Sequence, residues 1–73
     1  MDNELVIIDY TNYRGERDSR IIRPVRIWFG ETEWHPGTQW LMDAVDVSKS
    51  ANRTFALKDV HSWTLPQDAS ESN

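Results

Sequence analysis

Arginine is the residue type with the clearest chemical potential in this sequence. Five of the eight basic residues recur at a spacing of three, namely Arg14, Arg17, Arg20, Arg23 and Arg26. The guanidinium group is a planar fork of N–H donors that matches a phosphate. A spacing of three makes a stripe on a helix but alternates between faces on a strand, so we expect no single flat basic patch. Arg20 and Arg26 are expected to share a face, with Arg23 on the other unless a bulge at Pro24 resets the phase. Three of the five arginines are interpreted as solubility charges.

A tryptophan in a polar loop is the second feature of interest. Trp34 and His35 lie in the stretch 30–39, GETEWHPGTQ, whose glycines and proline predict a loop long enough to be functional. A tryptophan in such a loop either folds back as a lid or marks a contact surface. Trp34 and His35 therefore form a candidate interaction surface, and the sequence leaves both alternatives open.

Catalytic and metal-binding patterns are missing from the sequence. His35 and His61 are the only histidines, they do not stand at ligand spacing, and there is no cysteine. We find no Gly-x-Ser-x-Gly nucleophile motif, no glycine-rich phosphate loop and no close pair of carboxylates in an apolar setting. We therefore expect a binding protein that is not an enzyme and uses neither a metal nor a cofactor.

Length and charge restrict the class of protein. Seventy-three residues provide one small core, to which four Trp, two Tyr and two Phe are expected to contribute most of the packing, Trp40 included. The absence of cysteine fits a reducing compartment, and no signal peptide or membrane span is evident, so we expect a cytoplasmic protein without membrane contact. A net charge of -4 argues against holding nucleic acid by bulk electrostatics.

Alternating apolar residues predict five strands and almost no helix. The expected strands cover residues 5–10, 18–29, 40–47, 53–57 and 60–65. Gly15 is expected in the first turn, Pro24 at a bulge or edge, and Lys58-Asp59 in a tight turn before the last strand. The last two strands are the expected edges of the sheet. Residues 66–73 lack large apolar side chains and predict a disordered tail.

A five-stranded chain of this length can protect its edges only by curling on itself. We therefore predict an all-β fold in which residues 4–65 form a small SH3-like or Sm-like open barrel.

The order of several short motifs resembles the WYL domain family. Ile8-x-Tyr10 and Gly15 precede Arg20-x-Ile22-x-Pro24, which is followed by Trp40-Leu41-Met42 with Asp46, and then by Arg53-x-Phe55-x-Leu57-x-x-Val60. The likeness extends from about residue 4 to residue 63. The Trp-Tyr-Leu triplet itself is degenerate here, because Leu41 lacks the tyrosine hydroxyl.

This resemblance implies an Sm-like barrel of the kind found behind a winged helix-turn-helix in bacterial transcription regulators, where it senses a nucleotide or nucleic-acid ligand. We expect a free-standing barrel, since no DNA-reading helix is predicted. Carried over by position, the ligand site comprises Tyr10, Arg20 and Arg53, with Lys58 beside them. Many family members have Asp-Arg where this chain has Lys58-Asp59, so Asp59 reverses a charge.

Each of these residues also has a purely structural interpretation. Arg20 and Arg53 could pair with Asp9, Asp43 or Asp46 across strands. Tyr10 could be a half-buried tyrosine of the barrel.

Two functional hypotheses follow from the sequence. The first is a regulatory module that binds a nucleotide or a short single-stranded nucleic acid through a basic and aromatic face, with steep salt dependence and loss of binding in Arg53→Ala. The alternative is a protein-interaction module that uses an exposed strand edge to bind a protein partner or a second copy.

Overall fold

The computed structural model describes residues 4–66, which form a five-stranded antiparallel sheet. Its elements are β1 (Val6–Thr11), β2 (Arg17–Gly30), β3 (Gln39–Asp46), β4 (Ala51–Ala56), a 3-10 turn at Leu57–Asp59, and β5 (Val60–Thr64). The predicted all-β class is confirmed, and every predicted strand end lies within two residues of the observed one. Residues 67–73, where we predicted most of the disordered tail, lie outside the described residues.

The first hairpin shows how local sequence sets the fold. Strand β1 alternates buried and half-buried residues, with Val6, Ile8 and Tyr10 turned inward. Gly15 has a φ of 81°, a left-handed conformation that glycine adopts without steric cost. The side-chain oxygen of Asn12 accepts hydrogen bonds from the backbone N–H groups of Arg14 and Glu16 and holds the turn in place.

Strand β2 is the central strand of the sheet, whose strand order is β4-β3-β2-β1-β5. Its first half pairs with β1 as far as Ile22, and its second half pairs with β3 from Ile22 to Gly30. The register shifts between Pro24 and Arg26, which confirms the predicted bulge, since proline has no N–H for the ladder.

The bulge also changes which face each residue occupies. Arg20 lies opposite Ile8 on the inner face, whereas Arg26 lies opposite Asp43 on the outer face. Our expectation that Arg20 and Arg26 share a face was therefore wrong. The extra residue, Val25, moves every later side chain of β2 to the opposite face.

The sheet curls strongly because its two edges are joined by a very short link. Strands β4 and β5 are the edges, as predicted, yet only Leu57–Asp59 connects them. In a flat sheet these edges would lie about 19 Å apart, whereas a three-residue link spans only about 10–14 Å. Accordingly, the rings of Tyr10 in β1 and Phe55 in β4 pack edge to face with centroids 5.0 Å apart. No ladder joins β4 to β5 within residues 4–66, so the sheet is not closed into a barrel.

The core is mostly aliphatic, which differs from our prediction. Its buried members are Val6, Ile8, Tyr10, Ile22, Met42, Ala44 and Phe55. Only Tyr10 and Phe55 among the aromatic residues belong to it, and Trp40 is 56% exposed. Trp40 points to the inner face, but it stands at the first end of β3, where its neighbour across the ladder is the equally exposed Phe29. Expecting Trp40 in the core was therefore wrong.

Candidate functional site: a cleft along strand β4

An open cleft of about 1040 Å³ runs along β4 of the described chain. Its walls are the end of β1 with the following turn, the loop between β2 and β3, β4 itself and the 3-10 turn, together with Val25 of β2 and with Asp43 and Ala44 of β3. Five residues selected from the sequence line this cleft, namely Tyr10, Trp34, His35, Arg53 and Lys58. Arg20, the sixth, does not line it.

Strand β4 positions the arginine of the cleft. Arg53 and Phe55 lie opposite Ala44 and Met42 and therefore share the inner face. The guanidinium carbon of Arg53 is 5.6 Å from the centre of the Phe55 ring. Tyr10 is only 5% exposed and packs on the same Phe55 ring. Tyr10 is thus more buried than the half-buried tyrosine of the structural alternative, and it forms the floor of the cleft.

Arg20 and Arg53 meet at a buried carboxylate. Asp46 is fully buried, and its Oδ2 lies 3.4 Å from Nε of Arg20 and 3.6 Å from Nη1 of Arg53. Nη1 of Arg20 also forms an ion pair with Oδ2 of Asp18 at 2.7 Å. Oδ1 of Asp46 accepts a hydrogen bond from the Ser48 hydroxyl. The pairing with Asp46 is one of the structural alternatives considered from the sequence.

The geometry of this cluster is loose. Neither Nε of Arg20 nor Oδ2 of Asp46 makes a hydrogen bond within the described residues, although the two atoms are within ion-pair distance. The attraction is therefore mainly coulombic. The side chain of Arg53 is 37% exposed against 23% for Arg20, so Arg53 keeps more donors free for a ligand.

The loop between β2 and β3 covers part of the free edge of β4. Nε2 of His35 lies 3.0 Å from the backbone oxygen of Thr54, and the His35 backbone N–H donates to the Thr32 hydroxyl. The Gln39 side chain donates to three carbonyl groups of the same loop. Trp34 is 72% exposed, so the loop presents it to solvent and does not pack it down as a lid.

The turn before β5 adds little net charge to the cleft. Lys58 is exposed, and Asp59 lines the cleft next to it. The two charges largely offset each other, so Arg53 is the principal cation of the site.

Asp43 is a structural residue of the site that sequence reasoning named only as one of three alternative partners for Arg20 and Arg53. It accepts hydrogen bonds from Nε of Arg26 at 2.9 Å, from Nε1 of Trp28 at 3.1 Å and from the hydroxyl of Thr54 at 2.8 Å. Partial burial raises the pKa of Asp43, but the three hydrogen bonds and the charge of Arg26 outweigh it and hold the pKa below 3.8. The β2–β3 register that brings these groups together could not be inferred from spacing alone.

Tyr13 is the second residue that sequence reasoning missed. It is 79% exposed, it lines the cleft, and the guanidinium carbon of Arg14 lies 5.7 Å from its ring centre. A large aromatic residue next to a glycine turn was the available indication, since such turns project from the surface.

No three Asp, Glu or His side chains of residues 4–66 are grouped so that they could hold a metal ion. No helix in this part of the chain is long and apolar enough to cross a membrane. The chain matches no family model, no curated protein and no solved structure.

Proposed function

We propose that this chain is a non-enzymatic binding module that holds a nucleotide or a short single-stranded nucleic acid in the cleft along β4. One observation carries the proposal. Residues selected from the sequence for two separate reasons line the same cleft: the motif residues Tyr10 and Arg53 with the adjacent Lys58, and the loop residues Trp34 and His35.

The exposed aromatic residues would supply most of the affinity. Trp34 and Tyr13 are 72% and 79% exposed, so each has a free ring face on which a base can stack. Such stacking contributes about 1–3 kcal/mol per base and tolerates any base. The site would therefore recognise unpaired bases with little sequence preference.

The cations of the cleft would contact few phosphates. Arg53 and Lys58 are the basic residues lining it, and Arg20 is held by Asp18 and Asp46 outside it. Two phosphate contacts to a single strand give a salt slope of about -1.4, because each contributes about -0.7. This dependence of binding on salt concentration is shallower than the steep dependence expected from the sequence.

The finer fold assignment is part of the same proposal. We assign the curled sheet to the open barrels of SH3-like or Sm-like kind, supported by the bent β2 and by the short turn that joins the two edge strands. The relationship to WYL domains rests on the motifs described above, and a regulatory role in the bacterial cytoplasm is what that relationship implies.

A protein-interaction module is the second candidate function. It is supported by the large apolar side chains that the sheet leaves exposed, among them Phe29, Trp40 and Trp63. The contact of His35 with Thr54 covers part of the β4 edge, so strand addition there would have to displace the loop.

An NMR titration of the labelled chain with a short mixed-sequence single-stranded oligonucleotide, at low and at moderate salt, tests the primary proposal. We expect shifts at Tyr10, Trp34, Arg53 and Lys58, and binding weakened by Trp34→Ala and by Arg53→Ala. Trp63→Ala is the matched control, because Trp63 is also exposed but lies outside the cleft. An unperturbed spectrum, or equal weakening by the control, would reject the cleft as a nucleic-acid site.

A further inference from the structure

Within residues 4–66, the second half of β2 has an unpaired backbone edge in addition to the two terminal edges of the sheet. The ladder with β1 ends at Ile22, whereas β2 continues to Gly30 and pairs there only with β3. Within residues 4–66, no strand pairs with the other side of this half. An extended edge of this kind is a template for another strand.

The same stretch exposes a row of apolar side chains. Val25, Ile27 and Phe29 are 54%, 53% and 56% exposed. Trp40 lies across the ladder from Phe29 with the ring centroids 5.1 Å apart, and it is exposed to the same degree. These four residues form a continuous face, which we call the β2 face.

The terminal edges are better protected than the β2 face. The β4 edge is capped at Thr54 by His35. Strand β5 has only five residues and carries the polar side chains of His61 and Ser62. Soluble proteins usually blunt exposed edges by such means, so an unprotected apolar edge indicates an interface.

We propose that two copies of this chain associate by antiparallel pairing of their β2 edges about a two-fold axis at Ile27. This register places Ile27 opposite Ile27 of the second copy and Val25 opposite its Phe29, so each apolar side chain of the edge meets another. The two sheets then continue into one, with Trp40 flanking the contact on each side.

The charges of the edge are compatible with self-pairing. Arg26 is the one charged residue between Val25 and Gly30, and it forms an ion pair with Asp43 of its own chain. In the proposed register Arg26 faces Trp28 of the second copy, so no like charges stand opposite each other. Arg26 already lies 5.3 Å from the ring of its own Trp28, a favourable arrangement of cation and aromatic face.

The exposed area predicts a weak dimer. Four half-exposed side chains offer roughly 400 Å² per copy, below the size typical of stable complexes. We therefore expect dissociation constants on the order of micromolar or weaker, and a monomer–dimer equilibrium that depends on protein concentration.

Sedimentation velocity from about 10 μM to about 1 mM protein tests the proposal directly. We expect the wild type to shift toward dimer with concentration, and Phe29→Asp to weaken association at least tenfold. Trp63→Asp should associate like the wild type, because Trp63 is exposed but lies outside the β2 face. A wild type that remains monomeric throughout would overturn the proposal.

Cross-linking provides a second test if Phe29→Asp fails to fold. The chain has no cysteine, so Ile27→Cys introduces a single thiol on the proposed axis, where opposite Cβ atoms approach closely enough for a disulfide. Mild oxidation should link Ile27→Cys into dimers much faster than Trp63→Cys, and equal rates would contradict the register. Val25 belongs to the β2 face and also lines the cleft, whereas Phe29 does not line it. Phe29→Asp should therefore bind the oligonucleotide normally, and failure of one proposal leaves the other intact.

Discussion

Asp43 joins three strands through one carboxylate. It stands on β3 and accepts hydrogen bonds from Arg26 and Trp28 on β2 and from Thr54 on β4. Hydrogen bonds to a charged group are stronger than those between neutral groups, and a partly buried carboxylate gains most from them. Asp43 therefore holds the outer face of the sheet together beneath the loop that carries Trp34.

Replacing Asp43 by Asn should reduce both the stability and its dependence on pH. We expect the free energy of unfolding to fall by about 1–2 kcal/mol at neutral pH, because the charge-assisted bonds are lost. In the wild type the lowered pKa of Asp43 contributes stability that is present above the unfolded-state value of 3.8 and is lost as pH falls through the folded-state value.

Urea unfolding at neutral and at acidic pH, followed by tryptophan fluorescence, measures both effects. Asp43→Asn should lose less stability on acidification than the wild type. Asp9→Asn is the control, because the hydrogen bond from Arg17 also lowers the pKa of Asp9, but on the open surface. A larger decrease in the free energy of unfolding at neutral pH for Asp9→Asn than for Asp43→Asn would contradict this account.

Replacing Asp46 by Asn separates the structural role of the arginines from their proposed ligand role. The change removes the buried charge that faces Arg20 and Arg53. We expect the free energy of unfolding to fall by only about 1–3 kcal/mol, because both arginines are partly exposed and remain hydrated. Freed from Asp46, Arg53 should bind the oligonucleotide several-fold more tightly. Asp18→Asn, which removes a partner of Arg20 alone, should leave binding unchanged in the same titration. Binding that is weaker in a folded Asp46→Asn would argue against Arg53 as a ligand contact.

Sequence patterns located every strand but not the pairing of side chains across strands. Alternation, Gly15 and Pro24 are local features, and they gave the strand ends and the bulge correctly. The position of Arg26 depends on the one extra residue in the bulge, and the exposure of Trp40 depends on what packs over the end of β3. Both are set by tertiary structure, which period-two patterns do not encode.

Deleting Val25 tests the importance of the bulge. Without the extra residue, β2 must either flip Arg26 to Phe29 onto the opposite faces or shift its register with β3. We expect a large loss of stability, together with loss of the near-ultraviolet circular dichroism that arises from packed aromatic residues such as Trp28. Val25→Ala keeps the chain length, and because Val25 is 54% exposed it should cost less than about 1 kcal/mol. Similar melting curves for the two variants would show that the bulge is dispensable.

The aromatic residues of the described chain are divided between the core and the surface. The inner face of the curled sheet is filled by short aliphatic side chains, with Tyr10 and Phe55 joining its two halves. Of the remaining aromatic residues, Tyr13 and Trp34 line the cleft, Phe29 and Trp40 belong to the β2 face, Trp63 lies on the edge strand β5, and Trp28 lies half-buried against Asp43. A chain of this size buries only part of its apolar surface, and the exposed apolar residues are where the two proposed contacts would form.

Two phenylalanines with the same chemistry but different locations test this distribution. Phe55 is 3% exposed and links β4 to Tyr10 of β1, whereas Phe29 is 56% exposed. We expect Phe55→Ala to cost about 3–5 kcal/mol, a large fraction of the roughly 4–11 kcal/mol available to a domain of this length. Phe29→Ala should cost far less at concentrations where the chain is monomeric, because its ring is already largely hydrated.

Thermal and urea unfolding of dilute protein compare the two variants, with Phe55→Leu as a milder change in case Phe55→Ala does not fold. Equal losses of unfolding free energy for Phe29→Ala and Phe55→Ala would mean that the β2 face is packed within the monomer. The proposed dimer would then have no exposed surface to form on. A loss confined to position 55 leaves Phe29 free for association. In that case raising the protein concentration should stabilise the wild type more than Phe29→Ala, because dimerisation draws the folding equilibrium toward the native state.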